Sequence, residues 1–251
     1  MADSMSVTPP VADEQRDAKA DYFGMLADLG MTKHLGSLTA TEDIVEGCHI
    51  GPETLVLDVG CGVGLTPCYL VRTHGCRVIG VDITPKMIVR AQEEAQRRGV
   101  AERVSFCVAD AQALPFPSGH FDVTMVESVS VFLEDPGLGF REYARVVQPG
   151  GCVGVTESTW LRPVGTQDDA FMDSLGARAE EKETWLALMA QAGLVDITGY
   201  AQPVDLPDEA RGRMRRFGCS GILRILLRFV RVLVGSPRAR RIYKEALATA
   251  P

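Results

Sequence analysis

One stretch in the first half of the sequence constrains the fold of this chain more than any other. Residues 54–59 read Thr-Leu-Val-Leu-Asp-Val, a short apolar run typical of a strand buried on both faces of a sheet. Gly60, Gly62 and Gly64 follow within one five-residue turn, and a helical pattern begins at Leu65. Because glycine lets a ligand approach the backbone and a helix start presents free N–H groups, the segment predicts a nucleotide-type pocket.

The spacing of the glycines distinguishes between two classes of ligand. A dinucleotide fingerprint, G-x-G-x-x-G, would need a glycine at position 65, where the chain has leucine. The turn instead has an acid, Asp58, before Gly60. A carboxylate at a strand end disfavours a pyrophosphate but tolerates a ligand that carries an ammonium and a sulfonium group. The pattern Asp58-x-Gly60-x-Gly62-x-Gly64 resembles the first motif of the class I S-adenosylmethionine-dependent methyltransferases.

Acidic residues also end the later predicted strands. These residues are Asp82, Asp110, Glu127 and Glu157. Because the carboxyl ends of parallel strands meet at one edge of a sheet, where ligands bind, the acids are expected to form a rim around the glycine turn. The rim strengthens the resemblance, which covers residues 34–160.

The resemblance implies a set of contacts to S-adenosylmethionine, which is the expected cofactor. Asp82 is expected to accept hydrogen bonds from the ribose hydroxyls and Asp110 to recognise the adenine amino group, with a helix cap as the alternative role of Asp110. An N-terminal helix and loop are expected to fold over the methionine end, although Tyr22 is equally well read as a core aromatic. The predicted cofactor-binding residues are Tyr22, Gly36, Thr41, Asp58, Gly60, Cys61, Gly62, Asp82, Ile83, Met87, Asp110, Ala111, Glu127 and Ser128.

The predicted fold class is α/β: a doubly wound, mostly parallel Rossmann-like methyltransferase sheet with an N-terminal helical cap and a C-terminal helical addition. Residues 1–50 are predicted to form the tail and cap helices, 51–202 the S-adenosylmethionine-binding domain, and 203–251 a helical extension or lid. A sixth strand is predicted over 193–200. The seventh, antiparallel strand usual in the family has no counterpart in 204–251, so it is either absent or lies beyond this sequence.

The segment 221–234 combines an arginine face with an otherwise apolar helix. Arg224, Arg228 and Arg231 share one side at helical spacing. Such a helix suits an acidic membrane surface, a cover over the acceptor, a homodimer contact or simple packing on the domain. We expect a lid whose apolar face, with Leu226, covers the acceptor while the arginines face outward.

Methyl transfer from a sulfonium mainly requires positioning, which supplies about 7–11 kcal/mol of a barrier. A general base is needed only when the acceptor loses a proton. His34, in the loop expected to cover the pocket, and Glu127 are the predicted catalytic residues, with a cofactor contact as the alternative for Glu127. The segments Leu-Pro-Phe-Pro (114–117) and Gln-Pro-Gly-Gly (148–151) are closest to the family's small-molecule branch, so the expected acceptor is apolar, lipid-like or quinone-like and S-adenosylhomocysteine is the expected product. An NAD(P)-dependent oxidoreductase and a non-catalytic cofactor-binding module are the alternatives.

Composition limits the partners and the compartment. The net charge of −7 argues against a nucleic-acid binder that relies on its overall charge. Seven cysteines without C-x-x-C pairs predict no metal site and indicate reduced thiols in a cytoplasmic protein. The start, MADSMSVTPP, has neither the basic nor the apolar region of a signal peptide.

Overall fold

The computed structural model of the chain describes residues 23–30, 37–160, 177–203, 206–235 and 240. Its centre is a five-stranded parallel sheet with the spatial order β3-β2-β1-β4-β5. The strands are β1 (Leu55–Val59), β2 (Arg77–Asp82), β3 (Val104–Val108), β4 (Phe121–Glu127) and β5 (Val147–Thr156). The strand order reverses direction between β1 and β4, and open α/β sheets bind ligands at such a switch point.

Helices cover both faces of the sheet. The helices are α1 (23–29), α2 (Ser37–Gly47), α3 (Leu65–His74), α4 (Pro85–Arg98), α5 (Pro136–Val146), α6 (Lys182–Gln191) and α7 (Leu206–Gly235). Because successive side chains of a strand point to opposite faces, Val56 packs with residues of α2 and α3, while Leu57 packs with residues of α5 and α6. The predicted doubly wound α/β class is therefore confirmed.

Local sequence signals set the boundaries of the central helices. Proline at the first position starts both α4 and α5, where its missing N–H costs no hydrogen bond. The side chain of Asp135 caps α5 by accepting a hydrogen bond from the N–H of Leu138 at 3.0 Å. Gly99, in the left-handed region with φ 68°, ends α4.

The chain beyond β5 departs from the expectation. Residues 194–203 contain no strand, so the predicted sixth strand is wrong. Asp196 has φ 52°, and this left-handed residue interrupts the extended backbone that a strand needs. The described chain instead adds a two-stranded parallel pair, β6 (Thr159–Trp160) with β7 (Glu180–Glu181). Within the described residues β5 is thus an outer strand of the sheet, at the edge opposite β3, and a groove of about 2100 Å³ runs along it.

A disulfide joins α2 to this outer strand. Cys48, directly after α2, is bonded to Cys152 in β5, and the two Cα atoms are 5.4 Å apart. The helix lies directly on the strand, since a Cβ added to Gly154 would be 2.3 Å from Cγ2 of Ile44. The expectation of reduced thiols is therefore wrong for this pair, because two cysteines 104 positions apart meet only in the folded sheet. The described thiols that remain free are Cys61, Cys68, Cys76 and Cys107.

Helix α7 packs against α2 and α3, and non-helical backbone at Gly218 divides it in two. Its orientation is the reverse of the expected lid: Leu226 is 56% exposed, whereas Arg228 is half-buried against Gly30. The long stem of an arginine can cover apolar surface while its charged end reaches water, which allows this arrangement. None of the helices in the described part of the chain is long and apolar enough to cross a membrane.

Candidate cofactor site

The glycine turn lies at the switch point between β1 and β4. Gly60, Gly62 and Gly64 have φ values of 72°, 53° and 77°, which side-chain-bearing residues rarely adopt. The N–H groups of Gly60 and Cys61 donate to the carbonyl oxygen of Val81 at 2.7 and 2.9 Å. These two bonds fasten the turn to the end of β2.

Two of the glycines also allow a close approach by neighbouring segments. A Cβ added to Gly60 would lie 2.3 Å from Cγ2 of Val129, in the loop after β4. A Cβ added to Gly64 would lie 2.9 Å from the Cα of Ala91 in α4. Position 60 therefore determines the width of the crevice between β1 and β4, whereas position 64 determines how closely the start of α3 packs on α4.

Asp82 is turned toward the glycine turn. Its Oδ2 accepts from the N–H of Gly62 at 3.0 Å and its Oδ1 accepts from the N–H of Thr84 at 2.8 Å. Burial raises the pKa of Asp82, and the two backbone bonds oppose that rise. Each carboxylate oxygen can accept a second hydrogen bond, so the group suits a pair of ribose hydroxyls. The neighbouring Ile83 is 63% exposed, as an apolar platform for a flat base would be.

Asp110 lies two residues beyond the end of β3, which is shorter than predicted. Its Oδ1 accepts from the backbone N–H of Gln112 at 2.8 Å, so the side chain closes a local turn rather than capping a helix. Ala111 is buried in the core cluster on the α5 side of the sheet.

Glu127, at the end of β4, joins three elements. Its Oε1 accepts from the hydroxyl of Thr41 in α2 at 2.6 Å, and its Oε2 accepts from the hydroxyl of Thr66 in α3 at 2.8 Å. Thr41 thus lies inside α2, which begins at Ser37. Ser128 follows with φ 58°, and its N–H donates to the carbonyl oxygen of Thr156 at 2.7 Å.

Glu157 has a structural role that its place in the predicted rim does not reveal. It follows β5, and its Oε1 accepts from the N–H groups of Val129 and Ser130. Burial raises the pKa of Glu157 to about 7. The carboxyl group therefore holds the loop whose Val129 faces Gly60. No sequence signal identifies those two N–H groups as its partners, and none identifies Val129 as the neighbour of Gly60.

The N-terminal cap packs directly on the glycine turn. Leu26 and Ala27 of α1 form a buried cluster with Val63, Leu65 and Met87, so Met87 contributes to the packing of the cap. The ring of Phe23 meets that of Phe132 edge-to-face, with centroids 5.1 Å apart. Three of the predicted site residues, Tyr22, His34 and Gly36, lie outside the described residues.

Two further predicted residues, one before the turn and one within it, are buried. Asp58 is 2% exposed within β1. Cys61 is also buried, and burial, followed by the charges of Asp58 and Asp82, raises the pKa of its thiol well above the usual value. The carboxylates of Asp58 and Asp82 suit a ligand that carries positive charge, and the glycine cradle and exposed Ile83 suit a nucleoside. The residues present therefore fit S-adenosylmethionine, and fold and site define a Rossmann-like domain of the methyltransferase type.

Comparisons with known proteins agree with this class. The sequence model of the family described as "Methyltransferase domain" matches residues 57–155. The chain is 33% identical to methyltransferase GfsG of Streptomyces halstedii over 163 residues, which are 61% of this chain and 57% of that protein. It is 34% identical to 2-methyl-6-phytyl-1,4-hydroquinone methyltransferase of Synechocystis sp. over 149 residues, which are 59% of this chain and 41% of that protein.

One solved structure extends the likeness in fold. Geranyl diphosphate C-methyltransferase from Streptomyces coelicolor matches with a TM-score of 0.68 and 19% identity, over 87% of this chain and 93% of that chain. Over residues 57–155 the chain therefore resembles a class I S-adenosylmethionine-dependent methyltransferase domain, as the sequence predicts. The chain spans about half the length of the two curated relatives.

Proposed function

We propose that the chain transfers the methyl group of S-adenosylmethionine to a small apolar acceptor and releases S-adenosylhomocysteine. The observation that carries this proposal is the glycine turn closed by Asp82, with Gly60 pressed against Val129. The family match over residues 57–155 favours this function over the NAD(P)-dependent oxidoreductase that a glycine turn alone leaves open.

The proposed cofactor contacts follow the order of the strand ends. Asp82 would hold the ribose, Ile83 would lie against the adenine, and Asp110 would meet its amino group. When bound, S-adenosylmethionine supplies an electrophilic methyl group that is already activated. The residues of this chain then act by aligning donor and acceptor and by excluding water.

We assign Glu127 a positioning role. Hydroxyl groups donate to both of its oxygens, and these two bonds fix the orientation of the carboxylate. Its bonds to Thr41 and Thr66 hold α2 and the start of α3 at fixed distances from β4. His34 remains the predicted base for an acceptor that must lose a proton.

Two observations support an apolar acceptor. The loop after β4 presents Val129 to the crevice and continues into Val131 and Phe132, with Phe23 of the cap against it. The relative from Synechocystis is named for a hydroquinone, 2-methyl-6-phytyl-1,4-hydroquinone. An apolar wall beside the cofactor would favour an acceptor of this chemical class.

The first test is binding and turnover with the full chain. Calorimetry should show binding of S-adenosylmethionine and none of NAD, and release of S-adenosylhomocysteine should be measured with a panel of quinols, phenols, amines and lipids. Turnover with the quinols or lipids is the expected result. Binding without turnover on any acceptor would indicate a non-catalytic module, and preferential binding of NAD would overturn the proposal.

The second test separates the crevice from general backbone strain. Gly60→Ala should lower the affinity for S-adenosylmethionine by about tenfold or more, because the added Cβ collides with Val129. Gly99→Ala is the matched control, since Gly99 has a similar φ of 68° but nothing within 4 Å of the added atom. Adding Val129→Ala relieves the collision, so affinity that returns in the double variant measures the part due to crevice width. Equal losses for the Gly60 and Gly99 variants would contradict the assignment.

A further inference from the structure

The second half of α7 carries an apolar stripe that faces solvent. This stripe, which we call the leucine stripe, consists of Leu223 (57% exposed), Leu226 (56%), Leu227 (61%), Val230 (57%) and Val234 (74%). Their spacing of three and four residues places them on one side of the helix, over a length of about 16 Å. This stripe is opposite the side on which Gly221 is buried against the domain.

An arginine cluster borders the leucine stripe. Arg224 and Arg228 of α7 line a small cleft together with Arg90, Arg97 and Arg98 of α4. Burial lowers the pKa of both Arg97 and Arg228, and guanidinium groups across the cleft lower each of them further. Positive charge is therefore concentrated here in a chain whose net charge is −7.

The carboxylates near the cluster do not neutralise it. Glu93 pairs with Arg90 at 2.9 Å, and Glu94 pairs with both Arg97 and Arg98. In the described part of the chain, no carboxylate is bonded to Arg224 or Arg228. Five arginines and two glutamates leave a net charge of +3 beside the stripe, and Arg231 adds a further exposed positive charge on the same flank.

We propose that the leucine stripe and the arginine cluster together form a docking surface for an anionic lipid bilayer. A helix with leucines on one face and arginines beside them can lie in the plane of the interface, with its apolar side chains at the level of the acyl chains and its arginines on the lipid phosphates. This surface does not depend on the proposed activity.

Charge favours the bilayer over a second copy of the chain. An antiparallel two-fold pairing of α7 with itself through the stripe would place the arginine flanks of the two copies side by side. Such a pairing would have to overcome like-charge repulsion at close range, whereas phosphate headgroups neutralise the same arginines. The leucine stripe alone suits both partners, so the arginine cluster decides between them.

The test is co-sedimentation of the full chain with vesicles. Vesicles of phosphatidylcholine with about 30% phosphatidylglycerol should bind the protein, pure phosphatidylcholine should bind it at least about tenfold more weakly, and salt should release it. Arg224→Glu with Arg231→Glu should lower binding by about tenfold or more. Leu223→Ser with Leu227→Ser and Val230→Ser should have an effect of similar size, because both parts of the surface are needed.

Matched controls use exposed residues outside the second half of α7. Arg77→Glu reverses a charge at the start of β2, and Val195→Ser removes an apolar side chain that is 80% exposed; both should bind vesicles as the parent does. Unchanged thermal unfolding and unchanged S-adenosylmethionine affinity in the α7 variants would show that the fold is intact.

Three results would overturn the proposal. The first is equal binding to neutral and anionic vesicles. The second is no vesicle binding at all. The third is a dimer in sedimentation velocity that dissociates on Leu226→Glu, which would show that a second copy covers the stripe.

Discussion

The two sides of the crevice are held in place by contacts between residues at very different separations along the sequence. On the β1–β2 side, Asp82 reaches Gly62, 20 positions earlier, and Thr84, two positions later. On the β4–β5 side, Thr41 and Glu127 are 86 positions apart and the two bonded cysteines 104. The proposed cofactor side is thus assembled from one compact stretch of chain, whereas the proposed acceptor side exists only when remote segments meet. Changes on the two sides should therefore have separable effects on affinity and on stability.

The largest expected effect is on the long-range side. Replacing Cys48 and Cys152 by serine should lower the free energy of unfolding by about 3–5 kcal/mol, because the disulfide closes a long loop in the unfolded chain. Denaturant unfolding with and without a reductant measures this loss, and the double serine variant should not respond to the reductant. Affinity for S-adenosylmethionine should stay within about threefold. A large loss of affinity would show that the two sides are coupled.

Glu157→Gln tests the buried carboxyl group at the end of β5. The folded pKa of about 7 lies above the ordinary value for glutamate, so ionisation disfavours the folded state. The parent should therefore lose up to about 2–3 kcal/mol of stability as the pH rises from about 4.5 through 7. Glutamine can still accept from Val129 and Ser130 but does not ionise, so the variant should be the more stable protein at pH 8 and similar at pH 4.5. Parallel stability profiles for the two proteins would contradict this account.

Asp82→Ala tests the short-range side. The substitution should lower the affinity for S-adenosylmethionine by at least about tenfold, since a charge-assisted hydrogen bond contributes about 1.5–3 kcal/mol. Asp110→Asn retains an accepting oxygen and should cost less. Calorimetric titration measures both, and thermal unfolding reports whether the fold is retained. A dissociation constant unchanged by Asp82→Ala would remove the ribose assignment.

The smallest expected effects come from Glu127's two hydroxyl donors. Thr41→Val and Thr66→Val each remove one bond without changing side-chain shape, at a cost of about 1 kcal/mol in stability. Thr41 belongs to α2, so its variant should raise the KM for the acceptor and leave cofactor affinity unchanged. Thr66 lies in the first turn of α3, close to the glycine turn, so its variant should lower the affinity for the cofactor, unlike the Thr41 variant. Identical kinetic changes in the two variants would contradict the assignment of Thr41 to the acceptor side and Thr66 to the cofactor side.

The sequence predicted the short-range side well for a physical reason. A buried strand, a glycine turn and the helix that follows are local patterns, and α3 begins at Leu65 as predicted. Glu127 was recognised as a strand-end acid, but its two threonine donors come from α2 and α3 and leave no local signal. The disulfide and the contact of Val129 with Gly60 likewise depend on tertiary packing.

The region after β5 was harder for a different reason. An apolar run at 194–200 suggested a strand, yet Asp196 adopts a left-handed backbone that its sequence context does not announce. The pattern of α7 correctly indicated a helix with an arginine side and an apolar side. It could not reveal which side faces the domain, because long arginine stems and leucines can both pack against apolar surface.

The left-handed backbone at Ser128 predicts which residues homologues can carry at this position. Its φ of 58° turns the chain after β4, so that the next two N–H groups point to Glu157 and Val129 faces Gly60. Glycine, asparagine and aspartate tolerate this backbone, whereas β-branched residues do so at considerable cost. Homologues that keep the same loop should therefore show a narrow substitution spectrum at position 128, without valine, isoleucine or threonine. A lineage that accepts one of them there should have rebuilt the crevice as well.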